Sequence, residues 1–259
     1  MLRLGLPEYP SRGDLMTRGK MLQEVRAALK STANDTRTPG KGYFGPLPEL
    51  GQVMPELKSS DLVSIFESEL QKLAGSTHRA STLSDLDSTL RGILESSSAR
   101  AVVLSRNPLL AQLGLESRLR SWGIEVSLWP ADAQAVPSDQ GVPFRAACFS
   151  AQVGITGVDY VLAESGSLIV TSQTEGCQLV SLAPPVHVAL YRRSQILGSL
   201  EEVLDRLAGD GNSAVPTPGR SIVFISGTSR TADIEQILIR GVHGPGQVHA
   251  ILVEDACFS

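Results

Sequence analysis

Two stretches of the chain carry residue types whose spacing suits a small anionic ligand. In SIVFISGTSRTADIEQILIRGVHGPGQVHAILVED, residues 221–255, an apolar strand predicted at Ile222–Ile225 runs into a hydroxyl-rich turn. A helix is predicted to follow from about Ala232 to Leu238, with Ile234, Ile237 and Leu238 on one face. Strand C-terminal ends in α/β sheets open onto ligand crevices, and a helix N-terminus there offers free N–H groups to an anion. Ser226, Thr228, Ser229 and Thr231 supply hydroxyl donors around Gly227 of the turn, and Arg230 adds positive charge, a pattern that fits a carboxylate or phosphate. The same residues would equally cap an ordinary helix, with Asp233 complementing its dipole. His243, beside Gly244 in Gly241-Val242-His243-Gly244-Pro245-Gly246, stands on a backbone held in turns, where an imidazole can act as acid or base or merely hold the turn.

The second stretch is GITGVDYVLAESGSLIVTS, residues 154–172. Strand-like runs at Val158–Ala163 and Ser167–Thr171 flank Glu164-Ser165-Gly166, which predicts a hairpin with a carboxylate at its bend. A carboxylate between two buried strands is expected to be partly desolvated and so suited to acid–base or nucleophilic work; the alternative is an ordinary exposed turn residue. Thr156 and Asp159 lie just upstream and are placed in the same crevice, as is His187 after the Pro184-Pro185 break. These residues form no Ser-His-Asp order and no G-x-S-x-G elbow, and neither a G-x-G-x-x-G turn nor a Walker loop occurs. His78 reads as a surface residue and His249 as a sheet residue; four scattered histidines predict no metal site.

The elements that must position these groups alternate. A helix is predicted over Asp61–Leu73 and another over Leu83–Leu94, then a buried strand Ala101–Leu104. Pro108 opens a helix running to about Trp122, and a strand Ile124–Leu128 follows. After a loop at 130–143 and a helix-like RAACFSAQVGI come the hairpin, a strand His187–Tyr191, a helix Leu200–Leu207, an exposed loop 209–219 and a closing strand Val248–Val253. This β-α-β rhythm predicts an α/β fold with a mostly parallel sheet. Upstream, Leu15, Leu22, Val25, Ala28 and Leu29 predict an amphipathic helix, and TPGKGYFGPLPELG a linker. Residues 1–58 are therefore expected to be an N-terminal helix and linker, and 59–259 the main domain.

The 259 residues include 42% hydrophobic and 19% charged ones, enough for a packed core. A net charge of −4 and only 5% aromatic residues argue against nucleic acid and anionic membranes as partners. The charge is uneven: residues 1–58 carry nine Lys/Arg against six Asp/Glu, the rest 14 against 21. Cys148, Cys177 and Cys257 lie far apart in sequence with no C-x-x-C pair, so the chain is expected to hold no iron–sulfur cluster of its own. The sparse, odd count and the lack of a long apolar segment predict a cytoplasmic protein without membrane insertion.

GITGVDYVLAESGSLIVTS and SGTSRTADIEQILIRGVHGPGQVHAILVED together resemble the signatures of the LUD domain family of lactate-utilisation proteins. The resemblance implies a Rossmann-like three-layer α/β/α fold, similar to the NagB/RpiA/CoA-transferase superfamily. It implies a component of a system oxidising L-lactate to pyruvate with iron–sulfur partner subunits, those partners carrying the clusters. Glu164-Ser165-Gly166 is similar in form to the E-N-G turn of class I CoA-transferases, with Ser in place of Asn. On this reading Glu164, His243 and Asp233 are the catalytic candidates, and a small carboxylate, lactate or pyruvate, meets Thr156, Asp159, Ser165, Gly166, His187, Ser226, Gly227, Ser229, Arg230, Thr231 and Gly244. An oxidoreductase subunit of the L-lactate dehydrogenase type, a non-catalytic assembly or regulatory subunit, and an acyl-, CoA- or phosphosugar-handling enzyme remain alternatives, and a homo-oligomer is allowed.

Overall fold

Four apolar runs, AVVL, VGIT, VHVALY and VHAILV, are hidden on both faces, the condition under which parallel strands assemble. The computed structural model describes residues 61–129, 138–208, 221–232 and 238–258, together with Gln23. The predicted N-terminal helix (Gln23 apart), the linker to residue 60, the loop 209–219 and Asp233 lie outside these residues.

The central sheet has six parallel strands: β1 (Ser76–Ala80), β2 (Ala101–Leu104), β3 (Glu125–Leu128), β4 (Val153–Thr156), β7 (Val186–Tyr191) and β12 (Gln247–Val253). Their spatial order is β1-β12-β7-β4-β2-β3, with Val248 opposite His187 and Gly154 opposite His187 on its other side. Period-two alternation sorts the side chains. Val186, Val188 and Leu190 of β7, with Ile251 and Val253 of β12, pack under α2 (Leu83–Ser96), α3 (Pro108–Gln112) and α4 (Leu115–Ser121). Ala189, Tyr191, Val248, Ala250 and Leu252 face the other way.

That second face is covered by α1 (Leu62–Lys72) and by a smaller sheet of β5 (Tyr160–Leu162), β6 (Ser167–Thr171), β8 (Ile196–Leu197) and β9 (Ile222–Ile225), ordered β8-β5-β6-β9. Farther along, α5 (Ser138–Ser150) and α7 (Leu179–Leu182) cover it. The fold is thus α/β with helices on both faces, one outer layer being shared with strands. Phe66 of α1 anchors this layer edge-on to Tyr191, with ring centroids 5.4 Å apart, and burying such a ring is worth about 1.5–3 kcal/mol.

Local signals explain most boundaries. A capping box starts α2: Thr82 Oγ1 accepts from the Asp85 N–H at 3.2 Å, and the Asp85 carboxylate accepts from the Thr82 N–H at 2.9 Å. The single helix predicted from Pro108 to Trp122 is two, α3 and α4, separated by Gly114. The predicted loop 130–143 gives way at Ser138 to α5, which contains Pro143, and the end of RAACFSAQVGI is strand β4.

The helix predicted from about Ala232 to Leu238 is corrected at its two ends, residues 233–237 lying outside the described residues. Ala232 closes β10 (Arg230–Ala232) and Leu238 opens β11 (Leu238–Arg240), and the two pair antiparallel, Thr231 opposite Ile239. His78, expected at the surface, is half-buried in β1, its Nε2 3.1 Å from Nδ1 of His249 with the rings stacked.

Gly154 lies in β4 where α7 crosses closest, and a Cβ there would overlap the Val180 carbonyl oxygen. Gly92, on α2, has nothing within 4 Å of the corresponding position. Gly154→Ala is expected to lower stability by about 1–3 kcal/mol, and Gly92→Ala to raise it by about 0.5–1 kcal/mol, in chemical denaturation. Equal effects would mean that the β4–α7 contact is not as close as described.

Candidate functional site

β2 and β4 are neighbours, but the connections that leave them run to opposite faces. After β2 the chain enters α3 and α4 on one face; after β4 it reaches Val158 and β5 on the other. Where connections diverge in this way the sheet opens a crevice outside its strand C-termini. Ser105-Arg106-Asn107 follow β2 here, and Gly157-Val158-Asp159 follow β4.

A carboxyl group bridges the two exits. Glu175 ends α6 (Ser172–Glu175) and is 1% exposed. Ser105 Oγ donates to its Oε2 at 2.5 Å, Asn107 Nδ2 donates to Oε1, and the Gly157 N–H donates to the same carboxylate. Asn107 is in turn fixed by its Oδ1, which accepts the Leu109 N–H at 2.9 Å and caps α3. Gly157 lies flat against the Asn107 amide, leaving no room for a side chain. Burial raises the Glu175 pKa from its ordinary 4.5 to about 7, outweighing the opposing effect of the donors from Ser105 and Asn107.

Beside this bridge is a cleft of about 270 Å³ lined by Asn107, Gln112, Asp159, Thr174, Arg192 and Gln195. Asp159 Oδ2 accepts the Thr171 N–H at 2.6 Å and Oδ1 accepts from Thr174 Oγ1 at 2.7 Å, while burial pushes its pKa up. Arg192 donates to Gln112 Oε1 and stacks over Phe258, 3.9 Å from the ring centre. Gln195 Nε2 donates to the Val158 carbonyl, pinning the β4–β5 connection that carries Asp159. Across the Ser105–Asn107 turn lies a more apolar pocket of about 340 Å³, walled by Leu104, Leu110, Leu115, Leu128 and Trp129, with Arg106 at its side. The arrangement pairs one guanidinium with one half-buried carboxylate, which can hold a small acid at one end and accept or return a proton at the other.

Of the residues singled out in the sequence, Asp159 lines this cleft. Thr156 ends β4 just before Gly157, and its Oγ1 lies 2.9 Å from Nε2 of the fully buried His187. Burial and the neighbouring His249 lower the His187 pKa to about 3, so its ring is neutral at physiological pH and holds Thr156 in place. Glu164, Ser165, Gly166, Ser226 and Gly227 come together elsewhere, against the end of α1. The Glu164 carboxylate accepts the Leu200 N–H at 2.7 Å at the start of α8 (Leu200–Ala208). Ser167 Oγ links Ser165 Oγ at 2.8 Å to Ser226 Oγ at 2.6 Å. The Ser229 N–H donates to the Pro245 carbonyl, so the 226–230 turn packs on the loop holding His243 and Gly244; His243 itself is exposed, and Arg230 and Thr231 belong to β10.

Sequence reasoning missed Ser105, Asn107, Glu175 and Arg192. Asn107 was detectable: an Asn between a buried strand and a helix-opening proline is a capping signal. Glu175, in the polar SQTEGCQ, gives no such signal. Among the described residues no group of three or more His, Cys, Asp or Glu could hold a metal ion, and no helix is long and apolar enough to cross a membrane.

The model of the LUD domain matches residues 63–253. The chain belongs to the LUD domain family. Lactate utilization protein C of Halalkalibacterium halodurans is 32% identical over 204 residues, covering 79% of this chain and 84% of that protein. Lactate utilization protein C of Bacillus subtilis is 28% identical over 258 residues, covering 95% of this chain and 99% of that one. The crystal structure of a DUF162 family protein from Deinococcus radiodurans aligns with 76% of the chain at a TM-score of 0.52 and 19% identity, which supports the fold. In this LUD domain the crevice and the Glu175 bridge both fall within the matched span.

A raised carboxyl pKa has a definite sign in stability. Between pH 4.5 and about 7 the unfolded Glu175 ionises while the folded one keeps its proton, so its contribution to stability falls as pH rises through that window and levels off above it. Glu175→Gln mimics the protonated form. Wild type is expected to lose stability relative to the variant across this window at a slope approaching about 1.4 kcal/mol per pH unit. Parallel curves from pH 4.5 to 8 in denaturant titrations would show that the carboxyl titrates normally.

Proposed function

We propose that this LUD domain protein is a component of an L-lactate utilisation system and holds a 2-hydroxy or 2-oxo acid, lactate or pyruvate, in the Asn107–Asp159–Arg192 cleft. The observation that carries the reading is the buried Glu175 bridge, which fixes Asn107 and the β4 exit beside an arginine and a partly desolvated aspartate. The names of the relatives from Halalkalibacterium halodurans and Bacillus subtilis support the same reading.

In this reading Arg192 binds the ligand carboxylate, its guanidinium already oriented by Gln112 and Phe258. Asp159 faces the hydroxyl. Its raised pKa makes it a better proton acceptor than a solvent-exposed aspartate, and the Thr171 N–H and Thr174 hydroxyl hold its two oxygens in place. Oxidation of lactate to pyruvate releases two protons, the hydroxyl proton to Asp159 and the C2 hydrogen as a proton to solvent, together with two electrons. Iron–sulfur clusters of partner subunits would take up the electrons, and this chain supplies binding, orientation and the hydroxyl proton's acceptor.

Calorimetric titration of the full chain with L-lactate and with pyruvate tests the site. Wild type is expected to bind, and Arg192→Ala to bind about 10- to 100-fold more weakly, the loss of one charge-assisted contact. Arg230→Ala, which alters β10, is expected to leave affinity unchanged. No binding by wild type at millimolar ligand, or equal affinity for wild type and Arg192→Ala, would sink the assignment.

A further inference from the structure

The three cysteines, distant in sequence, are not equally distant in space. Cys148 lies in the last turn of α5 and is fully buried; Cys177, between α6 and α7, is partly exposed and packs against it. Both side chains belong to one packed cluster, Cys148 inside it and Cys177 against its edge. The surroundings are otherwise apolar, with Phe144, Val180, Ala183 and Trp129, the last edge-on to Phe144 at 5.1 Å. Cys257 is buried elsewhere, its Sγ–H donating to the Ala80 carbonyl at 3.5 Å.

We propose that Cys148 and Cys177 form a modification site for hydroperoxides, Cys177 as the attacking thiol and Cys148 as the resolving thiol of a reversible disulfide. Exposure assigns the order, since Cys177 is the partly exposed residue of the pair and Cys148 the fully buried one. The neighbouring Cys148 thiol and the Leu179 N–H lower the Cys177 pKa to about 7 against the opposing effect of burial, which favours its thiolate. The same interaction with Cys177 holds the Cys148 thiol protonated.

The chemistry balances in two steps. The Cys177 thiolate attacks one peroxide oxygen; an S–O bond forms, the O–O bond breaks, and the departing hydroxide or alkoxide takes up a proton. Cys148 sulfur then attacks the Cys177 sulfenic sulfur; an S–S bond forms, the S–O bond breaks, and the leaving hydroxide departs as water with the proton that Cys148 gives up. Two electrons pass from the thiols to the peroxide. The product ties α5 to the segment that carries Glu175, two residues before Cys177. The site therefore extends beyond lactate chemistry and does not depend on it.

The test uses the reduced full chain treated with hydrogen peroxide, alkylated under denaturing conditions and mapped by mass spectrometry without reductant. A Cys148–Cys177 linked peptide pair lighter by two hydrogens, abolished by dithiothreitol, with Cys257 alkylated as a free thiol, is the expected result. Cys148→Ser is expected to leave Cys177 as a dimedone-reactive sulfenic acid, and Cys177→Ser to leave Cys148 unoxidised. Two free thiols after peroxide, a link to Cys257, or oxidation of Cys148 at the wild-type rate in Cys177→Ser would overturn the proposal. The wild-type map decides the linkage without either variant.

Discussion

A single buried carboxyl joins two loops that the sheet topology forces apart. Once the connections after β2 and β4 leave for opposite faces, the two exits must be held together outside the strand C-termini. Glu175 closes it by accepting from Ser105, Asn107 and Gly157. Burying an ionised carboxylate is expensive, and the donors recover only part of the cost, which is why the group titrates near neutrality. Its partners respond differently to a proton. The Ser105 hydroxyl can rotate from donor to acceptor, whereas the Asn107 amide cannot turn without releasing its cap on α3. Protonation therefore loads the Ser105 side, and the Asn107 face that lines the cleft stays fixed.

The strands that make this topology were legible because they are apolar on both faces. AVVL matches β2 residue for residue, and β7 and β12 each begin one residue before their predicted starts. β1 was not legible. STHRA has no apolar run because it forms an edge strand, covered on one side only by β12, and its polar residues stay partly exposed there. The segment 230–240 misled for a different reason. Ile234, Ile237 and Leu238 recur at helical spacing, yet Ala232 and Leu238, where the helix is expected to begin and end, belong to the paired strands Arg230–Ala232 and Leu238–Arg240. The cleft was half legible: Asp159 lies in a readable hairpin segment, whereas Glu175 and Arg192 reach it through tertiary connections that no local spacing encodes.

The cysteines make the same point in the opposite direction. Their separation in sequence speaks against a metal knuckle, and it says nothing of the turn that α6 and α7 make back onto α5. Two cysteines 29 positions apart pack into one cluster because the crossover helix α5 and the connection after β6 cover the same part of the sheet.

The signature blocks of the sequence are one step removed from the cleft beside Glu175, and the geometry explains how they still shape it. Gly166 lies against the backbone of Glu69 and Leu70, with no space for a Cβ, so the β5–β6 turn seats directly on α1. Ser167 and Ser226 join that turn to the end of β9, and the Thr228 N–H reaches the Leu73 carbonyl at the end of α1. On the other side, the Ser229 N–H donates to Pro245 and the Gly246 N–H to Pro185, which tie the 226–230 turn to the starts of β12 and β7. These contacts hold the smaller sheet onto the central one. β6 leads through Thr171 directly into α6, and α6 ends at Glu175; Asp159 is held by the Thr171 N–H and the Thr174 hydroxyl of the same segment. The position of β6 therefore sets both the carboxyl that closes the split in the sheet and the carboxyl that faces the cleft. The signature serines and glycines act on the cleft by fixing β6, which makes them positioning residues.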